Sequence, residues 1–282
     1  MRRGLRALTT RVPVRGRHRL VQAISDHLGA DTEVFNCGSL KVRVDHRLAF
    51  SRAVYYGVYE EHLINWIARN LRPGDQVIEP GTNIGFVASQ ILNAVGPQGL
   101  LVSLEPSRTC CAAIGEDNAL AQRKDFVLLN AALSRTSGAE MYYESRRIVS
   151  RGYGCLESAG QPADAVRYEI DTYSIDDLVV RFQIDRVRFL KLDIEGSELP
   201  ALEGARHTLA AGKIDFIMVE TEIDPASKPQ AEVNEKIAAI LSQAGFAPYW
   251  MNRNGTLASF DMESAARGSS RIRTDLLWSR LP

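Results

Sequence analysis

The sequence predicts an α/β protein with a doubly wound, seven-stranded sheet whose last strand is antiparallel, preceded by a small N-terminal extension. Three observations carry this. Short apolar runs of strand length alternate with helical patterns from residue 76 onward, the pattern of parallel strands joined by crossover helices. The first run, Gln76 to Glu79, passes through Gly81 and Gly85 into a helical pattern, and glycines at such a junction let the backbone turn tightly and approach a ligand. The runs also end in polar groups: Glu79, Glu105, Asn130, Asp193 and Glu220. Ligands of open α/β sheets bind outside the carboxyl ends of the strands, so these five residues are the first candidates for a site.

Composition narrows the class. With 282 residues, 45% of them apolar, the chain can bury one sizeable α/β core. Lys+Arg and Asp+Glu balance at 34 each, so no global basic field argues for nucleic acid, and a small or neutral substrate fits better. The first twenty residues are locally basic, with Arg2, Arg3, Arg6, Arg11, Arg15, Arg17 and Arg19, but no apolar targeting segment follows and no run approaches membrane-spanning length. They read as a solvated arm, with a weak peripheral contact to anionic lipid or an acidic partner as the sharper alternative. Cys37, Cys110, Cys111 and Cys155 form no Cys-x-x-Cys pair, and adjacent Cys110 and Cys111 cannot bridge comfortably, so a reduced, cytoplasmic protein is expected.

Taken in order, residues 1–56 are the arm and a small α+β extension, ahead of a main domain over 57–282. The extension carries a helical pattern from Leu20 to Leu28, an extended run at Glu33-Val34-Phe35 and alternation over Leu40-Lys41-Val42-Arg43-Val44, which suggest a small hairpin. Tyr59 to Leu71 is an amphipathic helix with Leu63, Ile64, Ile67 and Leu71 on one face, ended by Arg72-Pro73-Gly74-Asp75. Strand one is Gln76 to Glu79, with a helix over Ile84 to Ala94. Strand two is Leu100 to Leu104, followed by a helix from Ser107 to Leu120, and strand three is Phe126 to Leu129. Periodicity then fails from Met141 to Tyr168, which reads as an irregular insertion on the substrate side. A helical stretch at Ser174 to Val180 precedes strand four, Val187 to Leu192, and a helix over Ser197 to Ala211 precedes strand five, Asp215 to Glu220. A helix from Val233 to Ala244 and the strands Ala247 to Met251 and Thr274 to Trp278 complete the count, the last two close enough in sequence to pair antiparallel.

Glycine spacing decides between ligands. A nicotinamide or flavin fingerprint needs Gly-x-Gly-x-x-Gly, but Asn83 and Phe86 occupy its second and third glycine positions, which weakens an oxidoreductase reading. The pattern that stands there, with Glu79, Gly81, Asn83 and Gly85, resembles the first motif of class I S-adenosylmethionine-dependent methyltransferases, and hence a Rossmann-like sheet. Glu105, at the tip of strand two, suits a ribose diol, since one carboxylate can accept from both hydroxyls. Further blocks in sequence narrow the match: Gly81-Thr82-Asn83-Ile84-Gly85, Glu105-Pro106, Ala132-Leu133-Ser134, Ser174-Ile175-Asp176-Asp177-Leu178 and Phe189 to Glu198 with Leu202-Glu203-Gly204-Ala205. Together, from about Gly57 to Glu222, they resemble the FkbM-type methyltransferase family. Glu79-Pro80 stands where that family more often has Asp and an aliphatic residue, and Thr82 where it often has Ala.

The resemblance implies methyl transfer from S-adenosylmethionine to a hydroxyl of a sugar, glycan or secondary metabolite. Glu79, Gly81, Asn83 and Gly85 would then carry the cofactor's amino-acid and ribose portion, with Glu105 on the ribose; Asn130 would meet the adenine edge, unless it belongs to an ordinary strand-end turn. Asp193 and Glu220 are the catalytic candidates, Asp193 either as a general base or as a metal ligand. Three carboxylates near one place, Asp193, Glu195 and Glu220, repel unless neutralised, which makes a hard divalent ion such as magnesium physically reasonable. Glu195 reads equally well as an acid stabilised by a helix N-terminus. His62 and His207 are reserve bases that more often would be surface histidines. Tyr142, Tyr143 and Tyr153 with Arg146, Arg147 and Arg151 would line a polar substrate site or a solvated loop. The rivals are a nucleic-acid or protein methyltransferase of the same fold and a non-catalytic cofactor-binding scaffold. Asp193-Ile194-Glu195-Gly196 replaces the Asn-Pro-Pro-aromatic block of base amino methylation. Intact Glu79, Gly81, Gly85, Glu105 and Asp193 argue against decay into a scaffold.

Overall fold

The strands that build the centre are those with uninterrupted apolar side chains, because both faces of a parallel sheet are covered and neither tolerates regular polar alternation. In the computed structural model, which describes residues 2–11, 21, 31–37, 40–117, 123–145, 154–161, 164–224, 226–267 and 270–280, the elements run as follows. Helix α1 (Arg2–Arg11), strands β1 (Thr32–Cys37) and β2 (Leu40–Asp45) and helix α2 (Ala49–Tyr55) precede α3 (Glu61–Asn70). Then come β3 (Gln76–Pro80), α4 (Phe86–Val95), β4 (Leu100–Leu104), α5 (Arg108–Asp117) and β5 (Phe126–Leu129). Next are β6 (Ala131–Leu133), β7 (Gly138–Ser145), β8 (Gly154–Leu156), β9 (Ala165–Tyr173), α6 (Ile175–Arg181) and β10 (Val187–Leu192). The chain continues through α7 (Glu198–Glu203), α8 (Arg206–Ala210), β11 (Ile214–Ile223), α9 (Lys228–Gln243), β12 (Ala247–Met251), β13 (Leu257–Ser259), α10 (Met262–Ala266) and β14 (Ile272–Ser279).

The large sheet has the order β13-β12-β14-β11-β10-β3-β4-β5. β11, β10, β3, β4 and β5 are mutually parallel, and β14 is inserted antiparallel between β11 and β12. The seven expected strands are present, and the three-residue edge strand β13 makes eight; it is too short to show a period. Strand order reverses beside β3, since β4 and β5 extend one way and β10 and β11 the other. That reversal opens the crevice in which ligands of such sheets bind. On one face Leu63, Trp66 and Ile67 of α3 and Ile91, Leu92 and Val95 of α4 are buried against the sheet. Trp66 lies with its ring centroid 4.8 Å from Phe189 and 5.0 Å from Phe216. The other face is covered by Ile175, Leu178, Leu202, Leu209 and Leu241.

Three expectations are corrected. The described residues of 141–168 are largely regular: β7, β8 and β9 join β6 in a second sheet of order β6-β9-β7-β8, with Tyr142 opposite Tyr168 in register. Its strands mix polar and apolar residues because much of their surface stays wet, which hid the two-residue period. The predicted helix over 197–211 is two, α7 and α8, broken at Gly204, where a Cβ would stand 2.6 Å from the Ser134 carbonyl oxygen. The basic arm is helical over α1, with Thr9 buried and the Arg6 guanidinium 4.4 Å over the Phe35 ring. Helix α2 follows the hairpin of β1 and β2, which pairs as expected. Apart from Val21, the predicted helix at 20–28 lies outside the described residues, as do Arg15, Arg17, Arg19, Arg146, Arg147, Arg151 and Tyr153. Among the described residues no helix is long and apolar enough to cross a membrane.

Candidate functional site

At the carboxyl ends of β3, β4, β10 and β11 lies a cavity of about 230 Å³. Its floor is the turn from β3 into α4. Gly81, Asn83 and Gly85 take φ values of +73°, +50° and +80°, so three of five consecutive residues are left-handed. The Gly81 N–H donates to the Leu104 carbonyl at 2.8 Å, and a Cβ on Gly81 would stand 2.8 Å from the carbonyl oxygen of Asp193. Bare backbone is required there because two strand ends converge.

Two buried carboxylates brace this turn. Glu105 accepts from the Asn83 N–H at 2.7 Å through Oε2 and from the Ser107 N–H at 2.8 Å through Oε1. Glu79 accepts from Ser103 Oγ at 2.7 Å and from the Thr82 hydroxyl, both through Oε2. The departures at 79 and 82 therefore act together: the hydroxyl of Thr82 serves the carboxylate of Glu79. Burial pushes each of these carboxyls up to about 7, against the pull of their hydrogen-bond donors. Glu79 Oε1 is buried with no partner.

Asn130 does not line the cavity. Its side-chain amide donates to the carbonyls of Glu105 at 2.8 Å and Pro106 at 3.1 Å, so it ties β5 to the turn after β4 instead of presenting donors to an adenine edge.

At the ends of β10 and β11 the carboxylates do converge, but with cations the sequence reading missed. Buried Lys191 donates to Asp193 Oδ2 at 2.8 Å, and Arg273, from β14, donates to Glu220 Oε1 at 2.5 Å and lies 3.7 Å from Glu195. Burial alone would lower the Lys191 ammonium, but Asp193, Glu60 and Glu79 around it hold it raised. Burial alone would raise Asp193; Lys191 and Arg273 hold it below its ordinary value. Glu220, hydrogen-bonded to Asp193, is pushed up to about 7 by burial and by the Asp193 charge, with Arg273 opposing. Burial also raises Glu195. The expected metal set Asp193, Glu195 and Glu220 is thus already neutralised by side chains, and among the described residues no group of three His, Cys, Asp or Glu is placed to hold an ion. A lysine inside Phe189-Leu190-Lys191-Leu192 was a readable signal, since a buried ammonium persists only beside partners. Arg273 gave none.

Of the reserve residues, His62 lies 3.2 Å from Asp275, whose side chain borders the cavity, while His207 is exposed at the start of α8. Tyr142 lines the cavity. Tyr143 donates to Glu157 at 3.1 Å, and the Tyr168 hydroxyl is 2.8 Å from Glu144, which also accepts from Ser107 Oγ at 2.6 Å. The second sheet is thereby fastened over the Glu105–Ser107 turn.

Among solved structures, the chain resembles Aeropyrum pernix fibrillarin in complex with natively bound S-adenosyl-L-methionine, at 11% identity and a TM-score of 0.42 over 88% of this chain and 82% of that one. It also resembles precorrin-6y C5,15-methyltransferase from Geobacter metallireducens, at 10% identity and 0.40 over 79% and 87%. A Pyrococcus horikoshii protein named as a transferase aligns at 11% identity and 0.46 over 99% and 98%. A search of curated proteins returns no match. The family model of the methyltransferase FkbM domain matches residues 54–248, well over half of the chain, and spans every element that forms the glycine turn and the Lys191–Asp193 pair. The chain belongs to the FkbM methyltransferase family and is an S-adenosylmethionine-dependent methyltransferase.

Proposed function

We propose that the enzyme methylates a hydroxyl of a sugar, glycan or secondary metabolite, with Glu220 taking the hydroxyl proton and Asp193 holding the pair in its working charge state. The observation that carries this reading is the divergence of two hydrogen-bonded carboxyl groups, Asp193 kept anionic by Lys191 and Glu220 raised to about 7. Paired groups whose environments push their titrations apart are the physical basis of acid–base assignment, and a base works best when its pKa lies near the working pH. Glu220, within β11 and one residue past the level of the end of β10, lines the cavity, as does Tyr142 of the second sheet, which supports an acceptor held between them.

The cofactor, when bound, supplies a methyl group already activated on a sulfonium, so no protein nucleophile is needed. The residues present fit it. Gly81 offers a side-chain-free approach at the cavity floor, and Glu79 retains an unpartnered oxygen. Each oxygen of Glu105 keeps a lone pair beyond its backbone bond, which suits the ribose hydroxyls. Asn130 positions Glu105 and does not itself touch the cofactor. Lys191 and Arg273 supply the positive charge for which a divalent ion was considered. A cytoplasmic location agrees with four free thiols.

The test is labelled-methyl transfer to a panel of glycosides and to cell extract, with mass identification of the product. Glu220→Gln is expected to lower kcat by roughly 10²–10⁴, the usual contribution of a positioned general base, while S-adenosylhomocysteine binding persists. Chelator leaves wild-type turnover unchanged. Wild-type turnover by Glu220→Gln, or a product methylated on nitrogen or carbon, overturns the assignment.

A further inference from the structure

The residue ahead of α3 is not explained by anything above. Glu60 adopts φ 42° and ψ 43°, a left-handed conformation unfavourable to any residue with a Cβ, and its side chain makes no capping bond to the helix that it precedes. It borders both the main cavity and a neighbouring one. Tyr59 hydrogen-bonds its carboxyl group, yet Oε2 is buried with no partner. Buried polar atoms are nearly always paired, so an orphan in a cavity wall asks for a donor that arrives with a ligand.

Charge accounting says what kind of donor. Glu60, Glu79 and Asp193 all act on the one Lys191 ammonium. The lysine's 2.8 Å bond goes to Asp193, which leaves Glu60 Oε2 and Glu79 Oε1 without donors. Asp275, a further anion, also acts on Glu60, and the cation that borders the same two cavities, Arg273, is bonded to Glu220. Glu60 stands in the cavity wall and Glu79 lies buried behind it, so this side of the cavity has spare acceptors, and its lining carries more carboxylates than cations. A primary ammonium corrects both, since it brings three N–H donors and one charge. The methionine end of S-adenosylmethionine carries such a group.

We propose that Glu60, together with Glu79, receives the α-ammonium of the cofactor, so that the turn before α3 belongs to the cofactor site alongside the glycine turn. The inference rests on the methyl donor and holds whichever atom of the acceptor is methylated. Product identification tests the hydroxyl reading and cofactor binding tests Glu60, so either can fail alone.

The experiment is calorimetric binding of S-adenosylhomocysteine and of 5′-methylthioadenosine, which lacks the amino-acid end, to wild type, Glu60→Gln and Glu60→Asp. Glu60→Gln is expected to weaken S-adenosylhomocysteine at least tenfold and to leave methylthioadenosine within twofold, with Glu60→Asp recovering part of the loss. Equal losses for both ligands mean that residue 60 only shapes the pocket, and unchanged affinity for both means that it does not meet the cofactor; either result overturns the proposal. Unchanged S-adenosylhomocysteine binding with a raised acceptor KM assigns Glu60 to the acceptor and overturns it equally. A measurement on wild type alone guards against a misfolded variant: burial raises the Glu60 carboxyl, so binding an ammonium there releases protons. In mildly acidic buffers of different ionisation enthalpy, S-adenosylhomocysteine should show that release and methylthioadenosine should not. Equal release by the two ligands contradicts the assignment.

Discussion

The turn from β3 into α4 and the charged group at the ends of β10, β11 and β14 border the same cavity but are made in different ways. The first is backbone: left-handed Gly81, Asn83 and Gly85, with N–H groups fixed by Leu104 and Glu105. The second is side chains: Lys191 on Asp193, Asp193 on Glu220, Glu220 on Arg273. A backbone device is written in five consecutive residues, whereas a charge network is assembled from strands far apart in sequence. The first should therefore fail through local geometry, and the second through uncompensated charge.

The largest expected effect breaks the second region. Lys191→Met removes the cation from buried Asp193 and leaves an unpaired charge, a change that costs about 3–5 kcal/mol in stability. Chemical denaturation checks it. A loss under 1 kcal/mol means that water already reaches Asp193 and that the region is not the low-dielectric network described here.

A smaller effect tests the first region. Glu105→Ala leaves the N–H groups of Asn83 and Ser107 without acceptors, so the turn loosens and S-adenosylhomocysteine binding weakens by about 1.5–3 kcal/mol, the range for bonds to a charged group. Asn130→Ala should weaken binding less, because it reaches the turn only through the carbonyls of Glu105 and Pro106. If Asn130→Ala proves the more damaging of the two, Asn130 meets the cofactor directly and its bracing role is wrong.

The mildest test separates the regions by pH. Glu220, raised to about 7, must lose its proton to act, so kcat/KM should climb about tenfold per pH unit below 7 and level above it. Stability runs the other way. Glu79 and Glu105 are also raised to about 7, so each adds stability fully present below the unfolded carboxylate value and lost as pH rises through about 7. Glu105→Gln should flatten the stability slope and leave the rate limb in place, while Glu220→Gln abolishes the limb. A limb that survives in Glu220→Gln assigns the base elsewhere.

Much of the first region was legible because glycine spacing and strand-end carboxylates are local signals. Gly81, Asn83 and Glu105 line the cavity, with Glu79 and Gly85 directly behind that lining, and Asn130 takes the strand-end turn that was its alternative, its amide bonded to the carbonyls of Glu105 and Pro106. The second region was half legible. Asp193 follows the end of β10, but β11 continues three residues beyond Glu220 to Ile223, and Arg273 reaches the two carboxylates through the β11–β14 pairing, a long-range contact with no local trace. The same limit hid the second sheet, in which β6 pairs with β9 across intervening strands. Lys191 was visible as a charge within an apolar strand, yet its consequence, a cation already seated on Asp193, needed the side-chain geometry.

The placement of β14 also has a meaning for biosynthesis. It is made after every other strand of the large sheet, yet it sits between β11 and β12 and supplies Arg273. A nascent chain lacking it has a gap in the sheet, two strand edges with unpaired N–H and C=O groups, and carboxylates with one cation too few. Edges of that kind invite pairing with other chains. Completion of the active site and concealment of the adhesive edges are thus the same event, so a ribosome that stops short releases a product that is both inert and prone to aggregate.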